Sequence, residues 1–106
     1  MNLRHLSALL LALLLPLAAL ADPLWIDVRS PEEYQADHIA GDPNLPFDGI
    51  ARQIESVAPA KDTEIVLYCK AGGRAGTAKK TLESLGYTRV RNAGGIADAR
   101  KERGLE

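Results

Sequence analysis

The chain of 106 residues contains one cysteine, Cys69. With no second cysteine, no disulfide can form within the chain, which excludes a disulfide framework as its source of stability. Long apolar runs are missing after residue 21, so no later segment can span a bilayer as a helix. There is no internal repeat, no low-complexity stretch and no interior linker. Strong charge of either sign is also lacking. Thirteen basic side chains face 14 acidic ones, for a formal net charge of −1. That balance gives no reason to expect nucleic acid or an anionic membrane as a partner.

What the sequence does have begins with its leader. "MNLRHLSALLLALLLPLAALA" carries Arg4, then an apolar core from Leu6 to Leu20, and closes on Ala19-Leu20-Ala21, the small-x-small form of a cleavage site. This predicts a signal peptide of the bacterial Sec type over residues 1–21, removed after Ala21, and a periplasmic destination. An uncleaved anchor is the competing reading. It is opposed by Pro16 and by a run shorter than the ~20 residues a spanning helix needs. Residues 22–106 then form one small domain with a single core. Its net charge is about −2, since Arg4 leaves with the leader and 12 basic side chains remain against 14 acidic ones.

Within that domain, "LWIDV" from Leu24 to Val28 reads as a short buried strand. Ser30 is a good N-cap, Pro31 suits the first helical position and Glu33 completes a capping box, so a short helix is expected through Tyr34. "DHIAGDPNLP" is a Gly/Pro-rich loop with room for a short strand at its start. Asp48 is the expected cap of a second helix carrying Ile50, Ala51, Ile54 and Val57 at helical spacing. "IVLYC" has no charge, as a central parallel strand buried on both faces requires. A third helix is expected from Gly73 or Arg74 to Leu85, with Ala75, Ala78, Leu82 and Leu85 on one stripe and Gly86 as its stop. "TRVRNAGG" supplies another strand, and a last helix starts near Ile96. Strands alternating with helices predict an α/β fold with a parallel sheet.

Open parallel sheets bind ligands at the carboxyl ends of their strands, and Cys69 ends the clearest strand. In an oxidising compartment its lone thiol is an inert core group, an intermolecular bridge or a reactive group. The residues after it favour the last. Ala71, Gly72 and Gly73 are small enough to let the backbone curl above the sulfur, and the helix that follows leaves its first N–H groups without helical partners. Such a cradle attracts anions. It also lowers a thiol pKa, with Lys70 and Arg74 adding positive charge. An accessible, partly ionised thiolate is the expected nucleophile for an anionic substrate.

Three stretches together resemble the rhodanese (thiosulfate sulfurtransferase) family, in its small, single-domain exported form. "WIDVRSPEEYQADHIAGDPNLP" is similar to the family's opening "LIDVRxPxEYxxGHIPGAxNIP", "IVLYCKAGGRA" to its active-site strand and loop, and "GYTRVRNAGGI" to its closing strand and paired-glycine turn. The resemblance implies a three-layer α/β domain, a small central parallel sheet with helices on both faces. It implies that Cys69 takes the outer sulfur of thiosulfate as a persulfide and passes it to a thiol or to cyanide. The backbone of Lys70, Ala71, Gly72, Gly73 and Arg74 would stabilise the persulfide, and the Lys70 and Arg74 side chains would bind the sulfonate end. Asp27, Arg29 and His38 are supporting residues: scaffold bonding is weighed above direct substrate contact for Asp27 and Arg29, and above a proton-shuttle role for His38. No metal or organic cofactor is implied. The expected state is a monomer, with a thiol-reducing protein as a further partner to consider.

Departures from the pattern are local. Asp37 stands where the family has Gly, Ala40 where it has Pro, Asp42-Pro43 replaces a more apolar pair, and Ala99 takes the place of a Trp. They predict a shallower, more open pocket. Two other functions stay open: a non-catalytic anion- or partner-binding module, and an arsenate or phosphate ester enzyme on the same scaffold. The spacing Cys69 to Arg74, Cys-x4-Arg, disfavours the second, because phosphatases sharing the fold use Cys-x5-Arg around a larger group.

Overall fold

The computed structural model describes residues 22–106; the expected leader lies outside the described residues. Chain order is β1 (Leu24–Asp27), α1 (Pro31–Ala36), α2 (Ile50–Val57), β2 (Ile65–Cys69), α3 (Gly73–Ser84), β3 (Val90–Gly95) and α4 (Ile96–Glu102). The three strands form one parallel sheet in the order β1-β2-β3. Parallel neighbours cannot be joined by a hairpin, so each pair is linked by a crossover containing helix. The uncharged β2 takes the centre, with all five residues buried.

Alternation along β2 divides the core in two. Ile65, Leu67 and Cys69 face one side, packed with Ile26, Val28, Ile50 and Ile54, and with Ala75, Ala78 and Leu82 of α3. Tyr68 faces the other, against Ile39 and Ala99, with Trp25, Ala93 and Ile96 around them. Helices α2 and α3 thus cover one face and α4 the other. The register runs Leu24↔Ile65 to Asp27↔Tyr68, and Ile65↔Val90 to Leu67↔Asn92. It then breaks: Cys69 pairs with Gly95, so β3 carries one extra residue beside the end of β2.

Local signals set the helix ends, with some corrections. Ser30 Oγ accepts from the Glu33 N–H at 3.2 Å while Glu33 Oε1 accepts from the Ser30 N–H at 3.1 Å, and the helix runs on to Ala36. Asp48 does not cap α2. A turn closed by the Gly49 N–H on the Pro46 carbonyl (2.9 Å) places exposed Asp48 one residue early, and Gly49 holds the cap position with no side-chain bond. Val57 is exposed, because Ala58 turns inward instead. Leu85 is exposed too. α3 stops at Ser84, where Tyr87 N–H bonds the Leu82 carbonyl and Gly86 N–H the Glu83 carbonyl, a Schellman closure. The loop after α1 pairs at its end rather than its start: Asn44 bridges in parallel to Asp27, which donates to the Pro43 carbonyl and accepts from the Leu45 N–H, both at 3.0 Å.

The two acidic departures in that loop meet arginines of the chain's last segment. Asp37 takes a bond from Arg100 on each oxygen at 3.0 Å. Asp42 is buried, accepts from Tyr68 Oη at 2.6 Å, and pairs with Arg103 at 2.7 and 3.1 Å. The Arg103 guanidinium lies over the Trp25 ring, 4.4 Å from its centroid. Burial and the Asp42 bond raise the Tyr68 pKa, so the hydroxyl stays a donor. Arg103→Ala leaves a buried carboxylate with Tyr68 alone and is expected to cost about 2 kcal/mol of stability. Urea denaturation checks this, and an unchanged midpoint would mean that the pair contributes nothing.

Candidate active site

Cys69 lies at the carboxyl end of the central strand, and the loop that follows closes over it. The turn is made at Gly72, whose φ of +105° strains any residue with a Cβ. It brings the Gly72 N–H to 2.9 Å from Sγ. The other side of the loop rests on the paired-glycine turn of β3. A Cβ on Gly95 would overlap the Lys70 carbonyl, so only glycine lets the two backbones approach this closely.

Burial pushes the Cys69 thiol up, but the backbone amides of Ala75, Ala71, Gly72 and Arg74 outweigh it and bring the pKa below the ordinary value. These are the first amides of α3 and of the turn leading into it, where the helix has no internal acceptors for them. One expectation needs correction. Cys69 is not open to solvent; the residue is 1% exposed, because the amides that favour the thiolate also cover it. The exposed parts are Lys70, Ala71 and Gly73.

The structure brings the loop residues together and disposes their cations differently. Arg74 makes a two-pronged pair with Glu33, Nη1 to Oε1 at 2.7 Å and Nη2 to Oε2 at 3.0 Å. Glu33 is therefore more than a helix-start residue. One carboxylate closes the cap of α1 and ties it to the first turn of α3. Lys70 has no ion-pair partner among the described residues.

Asp27 and Arg29 form a buried pair at the end of β1. Arg29 Nε donates to both Asp27 oxygens at 3.0 and 3.1 Å, and Nη2 reaches Oδ2 at 2.8 Å and the Asp37 carbonyl at 2.7 Å. With Asp27 fully buried and every polar atom of that carboxylate engaged, the pair braces the edge of the sheet. His38 stacks on Tyr34, ring centroids 4.0 Å apart, with Nδ1 2.8 Å from the Tyr34 carbonyl. A carbonyl only accepts, so Nδ1 carries the proton. No hydrogen bond joins His38 to the Cys69 loop among the described residues.

Asn92, which no sequence signal singles out, does touch that loop: Nδ2 donates to the Gly72 carbonyl at 2.9 Å. Asn44 similarly ties the end of β1, donating to the carbonyls of Asp27 and Arg29 at 3.0 Å each. Both contacts join residues far apart in sequence.

Bonding to Arg74 holds the Glu33 carboxyl at about 2, below its ordinary 4.5. A carboxylate whose folded pKa is depressed contributes stability in full above its unfolded pKa, and loses it as the pH falls toward the folded value. Glu33→Gln should therefore flatten the fall of stability between about pH 4.5 and 2. Denaturation midpoints across that range check this, and identical slopes would show that the pair is idle in solution.

Comparison with known proteins agrees with the geometry. The sequence model of the rhodanese-like domain matches residues 13–102. The thiosulfate sulfurtransferase PspE of Escherichia coli (strain K12) is 43% identical over 90 residues, 85% of this chain and 86% of that protein. Among solved structures, a rhodanese with anions from E. coli superposes with a TM-score of 0.69 at 43% identity, covering 73% of this chain and 91% of that one. The human single-domain sulfurtransferase TSTD1 gives a TM-score of 0.63 at 30% identity, covering 87% and 93%. The family model spans most of the chain, including the strand and loop that present Cys69, and the protein belongs to the rhodanese-like domain family.

Proposed function

We propose that the protein is an exported sulfurtransferase that carries sulfur as a persulfide on Cys69. The observation that carries this is the convergence of loop amides on the Cys69 sulfur, with the Gly72 N–H 2.9 Å from Sγ. The thiolate attacks the outer sulfur of thiosulfate. A Cys69–sulfur bond forms, the S–S bond of thiosulfate breaks, and its electron pair leaves with sulfite. The persulfide anion then gives its outer sulfur to cyanide or a thiolate, and the electron pair of that S–S bond returns to Cys69 as thiolate. Charge is conserved in both steps, and neither needs a metal or an external oxidant.

The backbone from Lys70 to Arg74 supplies the anion cradle. The two cations differ in how they meet the sulfonate. Arg74 is already matched by Glu33, so Lys70, exposed on the loop, supplies the larger share of the attraction. The Asp27–Arg29 pair and the His38–Tyr34 stack act as scaffold. Residues 22–106 are the working domain. Its export to the periplasm rests on the leader, and the names of the relatives support thiosulfate as the donor class.

Two measurements test this. Brief exposure of the reduced protein to thiosulfate should add ~32 Da, one sulfur atom, that cyanide removes and Cys69→Ser never shows. No adduct on a Cys69 that an alkylating reagent still labels would move the assignment to a binding module or an oxyanion enzyme. Lys70→Ala should raise KM for thiosulfate several-fold with little change in kcat, the pattern of lost ground-state attraction. An unchanged KM would remove Lys70 from the substrate site.

A further inference from the structure

Asn92 sits on β3 opposite Leu67, just before the register breaks, and its side chain faces solvent. It contributes nothing to either core cluster. Both ends of its carboxamide are nevertheless in use. Oδ1 accepts from the Gly94 N–H at 2.8 Å, and Nδ2 donates to the Gly72 carbonyl at 2.9 Å. A carbonyl only accepts and an N–H only donates, so the amide orientation is fixed by its partners. The side chain is a strut between the paired-glycine turn and the nucleophile loop. The residue it grips, Gly72, is the left-handed turn whose own N–H reaches Sγ. The same carbonyl also accepts from the Gly76 N–H at 2.9 Å, in the first turn of α3. The position of Gly72 is thus held from the helix on one side and from β3 on the other.

We propose that Asn92 is a positioning residue for sulfur transfer, holding the Gly72 turn so that the loop amides converge on the Cys69 sulfur. It touches neither sulfur nor substrate and acts through the loop backbone. The inference rests on Cys69 being the nucleophile. The charged groups on the loop and the elements around it include Lys70 and Arg74, Glu33 of α1, the Asp27–Arg29 pair ending β1, Lys79, Lys80 and Glu83 of α3, Arg91 of β3, and Asp98, Arg100, Lys101 and Glu102 of α4. Replacing Asn92 alters none of them.

The test is the pH dependence of Cys69 alkylation in the reduced protein, read for wild type, Asn92→Ala and Asn92→Asp, with Cys69→Ser as the blank and thermal melting alongside. Asn92→Ala removes the strut without adding charge. It should raise the apparent thiol pKa and slow thiosulfate turnover about threefold or more, the worth of one hydrogen bond, while melting changes little because the side chain is exposed. Asn92→Asp sets a carboxylate against the Gly72 carbonyl and should shift the thiol further. A depressed wild-type pKa that neither variant moves overturns the inference alone. A shift in Asn92→Asp without one in Asn92→Ala reports charge rather than positioning and also overturns it. An ordinary thiol pKa in the wild type would sink the nucleophile assignment itself, and the inference with it.

Discussion

The Cys69 sulfur lies beneath its own loop with 1% of the residue exposed, so water cannot carry the charge of a thiolate there. Backbone N–H groups must carry it, and backbone dipoles can do so only if they are aimed before the charge appears. Much of the sequence around the site follows from that demand. Gly72 makes the turn, Gly95 lets the neighbouring strand approach the Lys70 carbonyl, and the extra residue in β3 shifts the register so that Gly95 rather than Gly94 pairs with Cys69. A longer side chain at any of these points would open the loop and leave the thiolate in a low-dielectric site without partners, where burial alone would push its pKa up.

Around this backbone device Arg74, Arg29 and Arg103 each have a carboxylate partner, while Lys70 has none among the described residues. Arg74 would otherwise place a free guanidinium at the end of the loop, and Glu33 takes it up while closing the cap of α1. The Asp27–Arg29 pair is more deeply buried, and Arg29 Nη2 also donates to the Asp37 carbonyl there. On the opposite face Asp42, with Tyr68 and Arg103, fastens the chain's last turn to the sheet. Tyr68 and Cys69 are adjacent in β2 and point to opposite faces. The strand that presents Cys69 is thereby pinned from behind by a hydrogen bond that does not touch the candidate site.

Local features are what a sequence discloses, and the match with the structure follows that division. The uncharged run Ile65 to Cys69, the Ser30–Glu33 box and the Gly86 stop each need only a few neighbouring residues to be recognised, and each appears where the pattern puts it. The turn after Cys69 is legible for the same reason, as small residues leading into a helix. Closure is not legible: whether a loop covers its own thiol depends on how near β3 approaches, which rests on a bulge about 25 residues away. The partnerships of Asn92 with Gly72, Arg100 with Asp37 and Arg103 with Asp42 span 20, 63 and 61 positions and carry no periodic signal. Asp37 and Asp42 look like losses when read alone. Each has an arginine partner in α4 or in the turn that ends it. Asp48 fails as a cap because a turn at Pro46 decides the chain's direction before the capping preference can act.

The tightness of the loop bears on which anion it suits. Its amides already reach Sγ itself, with the Gly72 N–H at 2.9 Å, so they close around a single sulfur atom. Adding one sulfur extends the side chain by only ~2 Å, the length of an S–S bond, and keeps a single soft anion near the focus of the same dipoles. A phosphoryl group would bring three oxygens that each need a donor, and a loop of four residues between Cys69 and Arg74 has few amides to offer them. Arg74, the side chain best shaped to grip two such oxygens, already has Glu33 on both prongs. A sulfur-to-sulfur transfer of the proposed kind would therefore move charge only a short distance along one bond, within dipoles that need not rearrange to follow it.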